Sequence, residues 1–359
     1  MPQHIALNLP FPQRISPDVE TVSAQHVDWL TGSGLLNSRA NIDRYREWHL
    51  DELAGRFYPD AVTDDLALGL QGQCFFFFFD DLFDGAVGTA PAETYEICHS
   101  MMLLSRGRPL STLPIRDLPL AHIWRDLWRR CKDGMSRSWT TRAAIHWQQY
   151  FQSYVSEAVI RTTGRILSVD DYLAARRHAI GTDGVLDFAE RCQRFEAPPV
   201  LHATIYFQQI RAITADVVVL TNDLHSLEKD EANGDPNNLI LLLAGEHKVS
   251  RSAVVRRLQE MINRRLSRFA DLTHIVEDVC GAVALESTGQ THTQRFLAAA
   301  GACMRGNYDW SRRTNRYSAI GIKHVQQSAR IEDKITTGHY RQNPGVAGSF
   351  TQADAERYP

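Results

Sequence analysis

Phe75-Phe76-Phe77-Phe78-Phe79-Asp80-Asp81-Leu82-Phe83-Asp84 is the most unusual stretch of the chain: a run of phenylalanine leads straight into carboxylates. On a helix, Asp80 and Asp84 lie about 40° apart on one face, one turn up, and Asp81 is offset by about 100°. The phenylalanines also step round by about 100° each, so two or three of them can face one cavity while the rest pack elsewhere. Carboxylates stacked at the end of an apolar run are costly unless something neutralises them. A hard divalent cation does so, and Mg²⁺ takes carboxylate oxygens together with a substrate phosphate. An Asp-Asp pair alone is a weak signal, because a solvated acidic helix end explains it as well. Asp64-Asp65 and Asp170-Asp171 repeat the pair without the aromatic run.

A second stretch points the same way. In Val217-Val-Val-Leu-Thr-Asn222-Asp-Leu-His-Ser226-Leu-Glu-Lys229-Asp230-Glu231, the residues Asn222, Ser226 and Asp230 recur every fourth position. On a helix they fall within an arc of about 80° and line up an amide oxygen, a hydroxyl and a carboxylate, all hard donors. The helix is apolar just before Asn222, and Gly234, Asp235 and Pro236 should stop it soon after. A polar stripe that begins where an apolar helix ends suits a cavity rim better than an ordinary surface face.

Further out, the 3.6-residue period dominates. Trp147, Tyr150, Phe151, Tyr154, Val155, Ala158 and Val159 form one apolar helical face, which core packing alone would explain. Ser168-Val-Asp-Asp171 reads as a capping box for a helix over Tyr172–Ile180, interrupted by Gly181 and Gly184. Helices are also predicted from Asp18 onward and over Ile205–Glu231, Val254–Phe269 and Gln290–Trp310. Alternating strand patterns are scarce, so the fold class is all-α, a helical bundle around an apolar cavity. Residues 1–17 are proline-rich and read as an extended strap, 18–341 as a single catalytic domain, and 342–359 as a loose polar tail.

Composition bounds the function. The 359 residues are 43% hydrophobic and 23% charged, which is ordinary for a globular protein. A net charge of −3 with no basic block argues against a nucleic-acid partner. The scattered cysteines, without a CxxC pair, read as reduced buried thiols. No secretory signal is visible, and the longest apolar runs fall far short of the ~18 residues a membrane span requires, so a cytoplasmic location is the expectation.

The two polar motifs together resemble those of class I terpene synthases, particularly bacterial sesquiterpene synthases. Phe79-Asp80-Asp81-Leu82-Phe83-Asp84 is similar to that family's aspartate-rich metal motif, and Asn222/Ser226/Asp230 to its second metal motif, where Glu is commoner in the third place. Asp keeps the ligand type, and Glu231 has the wrong helical phase. The resemblance extends to Arg316-Tyr317 as a diphosphate-binding element, to Arg176 as a diphosphate sensor with Arg177 as an adjacent competitor, and to Leu9-Pro-Phe-Pro-Gln-Arg14 with Trp29 as an N-terminal strap.

The resemblance implies a Mg²⁺ cluster on Asp80, Asp84, Asn222, Ser226 and Asp230. Diphosphate would be bound by Arg176, Lys229, Arg316 and Tyr317. Asp81 would pair with Arg176 instead of ligating metal. An aromatic wall that shields a carbocation is expected from Phe76, Phe77, Trp310 and one or more of Trp147, Tyr150 and Tyr154. A backbone carbonyl at Ile180-Gly181 would face the cation. The substrate implied is a linear isoprenoid diphosphate: farnesyl diphosphate first, with geranylgeranyl diphosphate as the alternative. Among similar proteins an antiparallel homodimer is common, and the sequence leaves the oligomeric state open. Two competing readings are a prenyl chain-elongating synthase, which would carry two aspartate-rich motifs, and a non-catalytic helical interaction protein, which would not explain two motifs in register.

Overall fold

The computed structural model describes residues 5–36, 38–247 and 250–318. The expected tail over 342–359, and the end of the expected domain at 341, lie outside these residues. Among the described residues the chain is helical, with no strand: α1 Val19–Gly32, α2 Arg39–Arg46, α3 Leu50–Phe57, α4 Thr63–Asp81, α5 Pro91–Ser105, α6 Pro119–Lys132 and α7 Arg137–Thr163. Then follow α8 Val169–Ala179, α9 Thr182–Cys192, α10 Pro199–His202, α11 Ile205–Asn233, α12 Leu239–His247, α13 Arg251–Ala282 and α14 Ser287–Ser311, with a 3₁₀ turn at Asn315–Tyr317.

Helix boundaries follow local chemistry. Ser136, Ser168 and Thr204 cap α7, α8 and α11, each side-chain oxygen accepting a backbone N–H of the first turn. Gly234 closes α11 in the left-handed conformation, with φ 70°, which a residue without Cβ adopts at no cost. Helix α4 is apolar on nearly every side because it threads the bundle. It packs on α1, α3, α6 and α9, and Phe75 and Phe79 are fully buried. Helix α11 lies against α13 and α14 on one flank and α8 and α9 on the other. The polar C-terminal end of α4 and the stripe on α11 thus open toward the same end of the bundle. The six cysteines are all buried and unpaired.

Residues 5–16 carry no regular secondary structure and lie against the bundle. The backbone N–H of Leu7 donates to the Tyr308 hydroxyl at 3.0 Å, and Arg305 donates to the Leu9 carbonyl at 3.2 Å. Phe11 meets Phe269 edge-on at 5.5 Å and packs over Gly301, where a Cβ would come within 2.7 Å of its ring. No helix among the described residues is long and apolar enough to cross a membrane.

A buried ionic network ties α7, α9 and α11 together on the side away from the polar rim. Arg211 donates to Asp187 at 3.0 Å and to Asp183 at 2.9 Å, His146 sits 2.7 Å from Asp187, and Arg142 pairs with Glu190. Burial alone would raise the Asp187 carboxyl, but His146, Arg211 and Arg142 outweigh it and hold it well below the usual carboxylate range. Asp187→Asn leaves two buried guanidinium groups under-compensated and should cost about 3–5 kcal/mol of stability at neutral pH, read by denaturant unfolding. A depressed acid contributes its stability above the unfolded pKa and loses it in acid. The gap between the two proteins should therefore narrow below about pH 4.

Candidate active site

Two rims face each other across one cavity. One rim is the end of α4. Helical geometry stops at Asp81, and Leu82, Phe83 and Asp84 continue as a tight turn, with Phe83 N–H on the Asp80 carbonyl at 2.9 Å and Asp84 N–H on the Asp81 carbonyl at 3.2 Å. Asp84 therefore reaches the cavity from a turn, three residues beyond the end of the helix on which the sequence pattern places it. Asp80 and Asp84 both line the cavity, and so do Asn222, Ser226 and Asp230 on the opposite rim. The Ser226 hydroxyl donates to Asp230 Oδ2 at 2.6 Å, and Asn222 Nδ2 donates to the Tyr317 hydroxyl at 2.9 Å.

Cations surround these acids. Lys229 lies 3.4 Å from Asp84, and Arg176 donates to Glu157 at 3.2 Å. Arg176 lines the cavity; its neighbour Arg177 turns to Asp216 at 2.6 Å on the other side of α8. The expected Asp81–Arg176 pair does not form. Asp81 is taken by Arg316, whose guanidinium meets both carboxylate oxygens and lies 4.6 Å over Trp48 and 5.2 Å over Phe77. The 3₁₀ turn at Asn315–Tyr317 delivers that guanidinium to the rim, whereas Arg176 is held across the cavity by Glu157.

Burial pushes the Asp80 carboxyl up; Lys229 pulls it back, and Asp81 and Glu157 push it further up. Asp84 rises to about 6 by burial, opposed by Lys229 and reinforced by Asp81 and Asp80. Asp230 is raised too, again by burial. Burial opposes the charge on Lys229, but Asp84 and Asp81 outweigh it and keep the ammonium protonated. The rim thus gathers the partly shielded carboxylates of Asp80, Asp81, Asp84 and Asp230 around Lys229 and Arg316.

Phe76 and Phe77 line the cavity with Tyr150, Tyr154 and Ile180. Phe75 and Phe79 point into the core, and Phe78 stacks at 6.0 Å on Tyr45. Phe76 stacks on Trp147 at 4.9 Å, which places Trp147 behind the wall, and Tyr154 donates to Asp80 at 3.3 Å. Trp310 also stands one layer back, contrary to expectation. It meets Phe77 at 5.4 Å and Tyr317 at 5.6 Å, and its indole N–H is spent on the Trp48 carbonyl at 2.8 Å.

Gly181 and Gly184 let the wall approach α9. A Cβ at Gly184 would come within 2.8 Å of the Phe76 ring and 3.3 Å of Trp147. Gly184→Ala should therefore tilt Phe76 into the cavity, cost about 1–3 kcal/mol of stability, and shift the product ratio measured by gas chromatography–mass spectrometry while turnover persists.

Sequence reasoning missed Glu157, Arg161, Asp235 and Asn237, which also line the cavity. Arg161 bridges Glu157 at 3.3 Å and Asp235 at 3.4 Å. The signal was present: Tyr150, Tyr154, Glu157 and Arg161 follow helical spacing, so the aromatic face of α7 turns polar as it reaches the rim.

An aromatic floor beneath a rim of hard oxygen donors and cations defines a site for an apolar chain with an anionic head. Residues 73–268 match the family model described as terpene synthase family 2, C-terminal metal binding. The chain is 37% identical over 349 residues to a (−)-β-caryophyllene synthase of Saccharothrix espanaensis described as farnesyl diphosphate cyclizing, covering 97% of this chain and 98% of that protein. It is 37% identical over 341 residues to pentalenene synthase of Streptomyces exfoliatus, covering 94% and 100%. Among solved structures, a variant of cucumene synthase superposes with a TM-score of 0.79 at 32% identity, covering 87% of this chain and 100% of that one. Germacradien-4-ol synthase from Streptomyces citricolor gives 0.76 at 28% identity.

The chain belongs to terpene synthase family 2. It is a class I terpene synthase, a lyase acting on diphosphates, which sets aside the non-catalytic interaction protein.

Proposed function

We propose that the enzyme ionises farnesyl diphosphate and cyclises the allylic cation to a sesquiterpene hydrocarbon or alcohol. The observation that carries this is the two-rim cavity, with Asp80 and Asp84 facing Asn222, Ser226 and Asp230 above the Phe76 and Phe77 floor. Relatives described as cyclizing farnesyl diphosphate favour the C15 substrate over C20.

The donor set suits Mg²⁺. Among the described residues no group of three or more His, Cys, Asp or Glu forms a ready-made metal cage. Mg²⁺ does not need one, since it binds through one or two carboxylates and completes its shell with water and substrate phosphate. Asp80 and Asp84 would hold it on one rim, and Asn222 through its oxygen, Ser226 and Asp230 on the other. Bound there, it supplies Lewis-acid neutralisation of the diphosphate leaving group.

The protein's own groups do the rest. Arg176, Lys229, Arg316 and the Tyr317 hydroxyl donate to the diphosphate oxygens, the guanidinium forks meeting them two at a time. Arg161, beside Arg176, adds positive charge at the same mouth. As the C–O bond breaks, the diphosphate leaves with the electron pair and the cation stays below. The faces of Phe76, Phe77 and Tyr150 attract the cation and keep water from quenching it early. The break between α8 and α9 places Ile180 at this wall.

The test is incubation with C10, C15, C20 and C25 diphosphates, singly, with Mg²⁺ and no isopentenyl diphosphate, products read by gas chromatography–mass spectrometry. A cyclic C15 product as the main outcome is expected. Turnover only after isopentenyl diphosphate is added, or cyclic product from C20 alone, would overturn the reading.

A further inference from the structure

Asp230 is not left to find its own orientation. Asn238, fully buried in the loop between α11 and α12, donates through Nδ2 to Asp230 Oδ2 at 2.9 Å and to the Asp223 carbonyl at 2.9 Å. Its Oδ1 accepts the Ile240 N–H at 3.0 Å, so every polar atom of the side chain is engaged and its rotamer is fixed. Only an amide can serve this place: it donates twice from one nitrogen and accepts at the other atom. The same Oδ2 of Asp230 takes the Ser226 hydroxyl at 2.6 Å. Two donors on one oxygen set the plane of the carboxylate.

The loop that carries Asn238 is itself pinned. Asp223 Oδ2 accepts the Leu239 N–H at 3.1 Å and the Tyr172 hydroxyl at 2.8 Å, and that hydroxyl also lies 3.2 Å from the Asn237 carbonyl. Tyr172 sits one turn before Arg176 on α8, so the bracket joins three elements that meet at the cavity. Asp223 is fully buried and does not line the cavity, and its Oδ2 carries both of these bonds.

We propose that Asn238 is a positioning residue, which holds the Asp230 carboxylate in the orientation needed to bind a divalent cation. The proposal rests on the reading of Asp230 as a metal ligand. Hydrogen-bond partners of metal ligands are worth about 10–100-fold in metal affinity, and Asn238 stands in that relation to Asp230.

The experiment measures Mn²⁺ binding by electron paramagnetic resonance, with inorganic diphosphate present, for the native enzyme, Asn238→Asp, Asp230→Ala and the double variant. Asn238→Asp should weaken Mn²⁺ about 10-fold or more. In the Asp230→Ala background the same change should add less than about 2-fold, because the group it acts through is gone. Turnover of Asn238→Asp should recover as Mg²⁺ is raised, which a general loss of structure would not allow. Asn238→Ala, which adds no charge, carries the same test if Asn238→Asp fails to fold. Native Mn²⁺ affinity in the Asn238 variants, or losses that multiply in the double variant, would overturn the proposal while leaving Asp230 a ligand. Native affinity in Asp230→Ala would remove the ligand reading, and the positioning role with it.

Discussion

Asp80→Asn should lower turnover by about 10³-fold, roughly 4 kcal/mol of barrier, while the metal-free protein melts no lower than the native enzyme. The two halves have one cause. Without a cation, an ionised Asp80 is half-buried beside Asp81, Asp84 and Glu157, with Lys229 as its main relief. Its carboxyl is therefore raised, and an acid raised by folding destabilises the native state above its folded pKa. That cost disappears only below the unfolded value near 3.9. Asparagine has the same shape and no charge, so it removes the repulsion, and the Tyr154 hydroxyl at 3.3 Å keeps an oxygen to donate to. What it removes as well is the anionic oxygen a divalent cation needs. Steady-state turnover with Mg²⁺, set beside thermal melting without it, measures both. A variant that loses activity and melting temperature together would show that Asp80 is structural.

How much of this was legible in the sequence depended on whether a local period decided it. Asn222, Ser226 and Asp230 were readable because one unbroken helix carries all three, and its phase is set by local geometry. The partition of the phenylalanines followed from the same rule: Phe76 and Phe77 line the cavity because Phe75 and Phe79 fill the core. Arg176 and Arg177 differ by one step of about 100°, and only the packing of α8 decides which meets the cavity. The partner of Asp81 was less legible still, because Arg316 lies 235 residues away and arrives in a short 3₁₀ turn with no periodic signal. Trp310 shows the limit from the other side. A large aromatic beside a site motif reads as a wall residue, but its indole N–H needs a partner, and the Trp48 carbonyl that supplies one lies behind the wall.

Arg316→Gln should be the second severe lesion, of a different kind, since it takes stability as well as turnover. The Arg316 guanidinium meets both oxygens of Asp81 and is 4% exposed, sandwiched against Trp48 and Phe77. Removing it strands a carboxylate beside two others and should cost about 3 kcal/mol of stability, with turnover down by about 10²–10³-fold. Arg316→Lys keeps a charge but loses the planar fork, so it should recover much of the stability and little of the rate. The double variant Arg316→Gln with Asp81→Asn separates the two roles. It removes the stranded charge, so denaturant unfolding should return near native, while turnover stays low because the donor to diphosphate is still missing. If the double variant regained turnover along with stability, Arg316 would serve only to neutralise Asp81, and diphosphate binding would fall to Arg176 and Lys229.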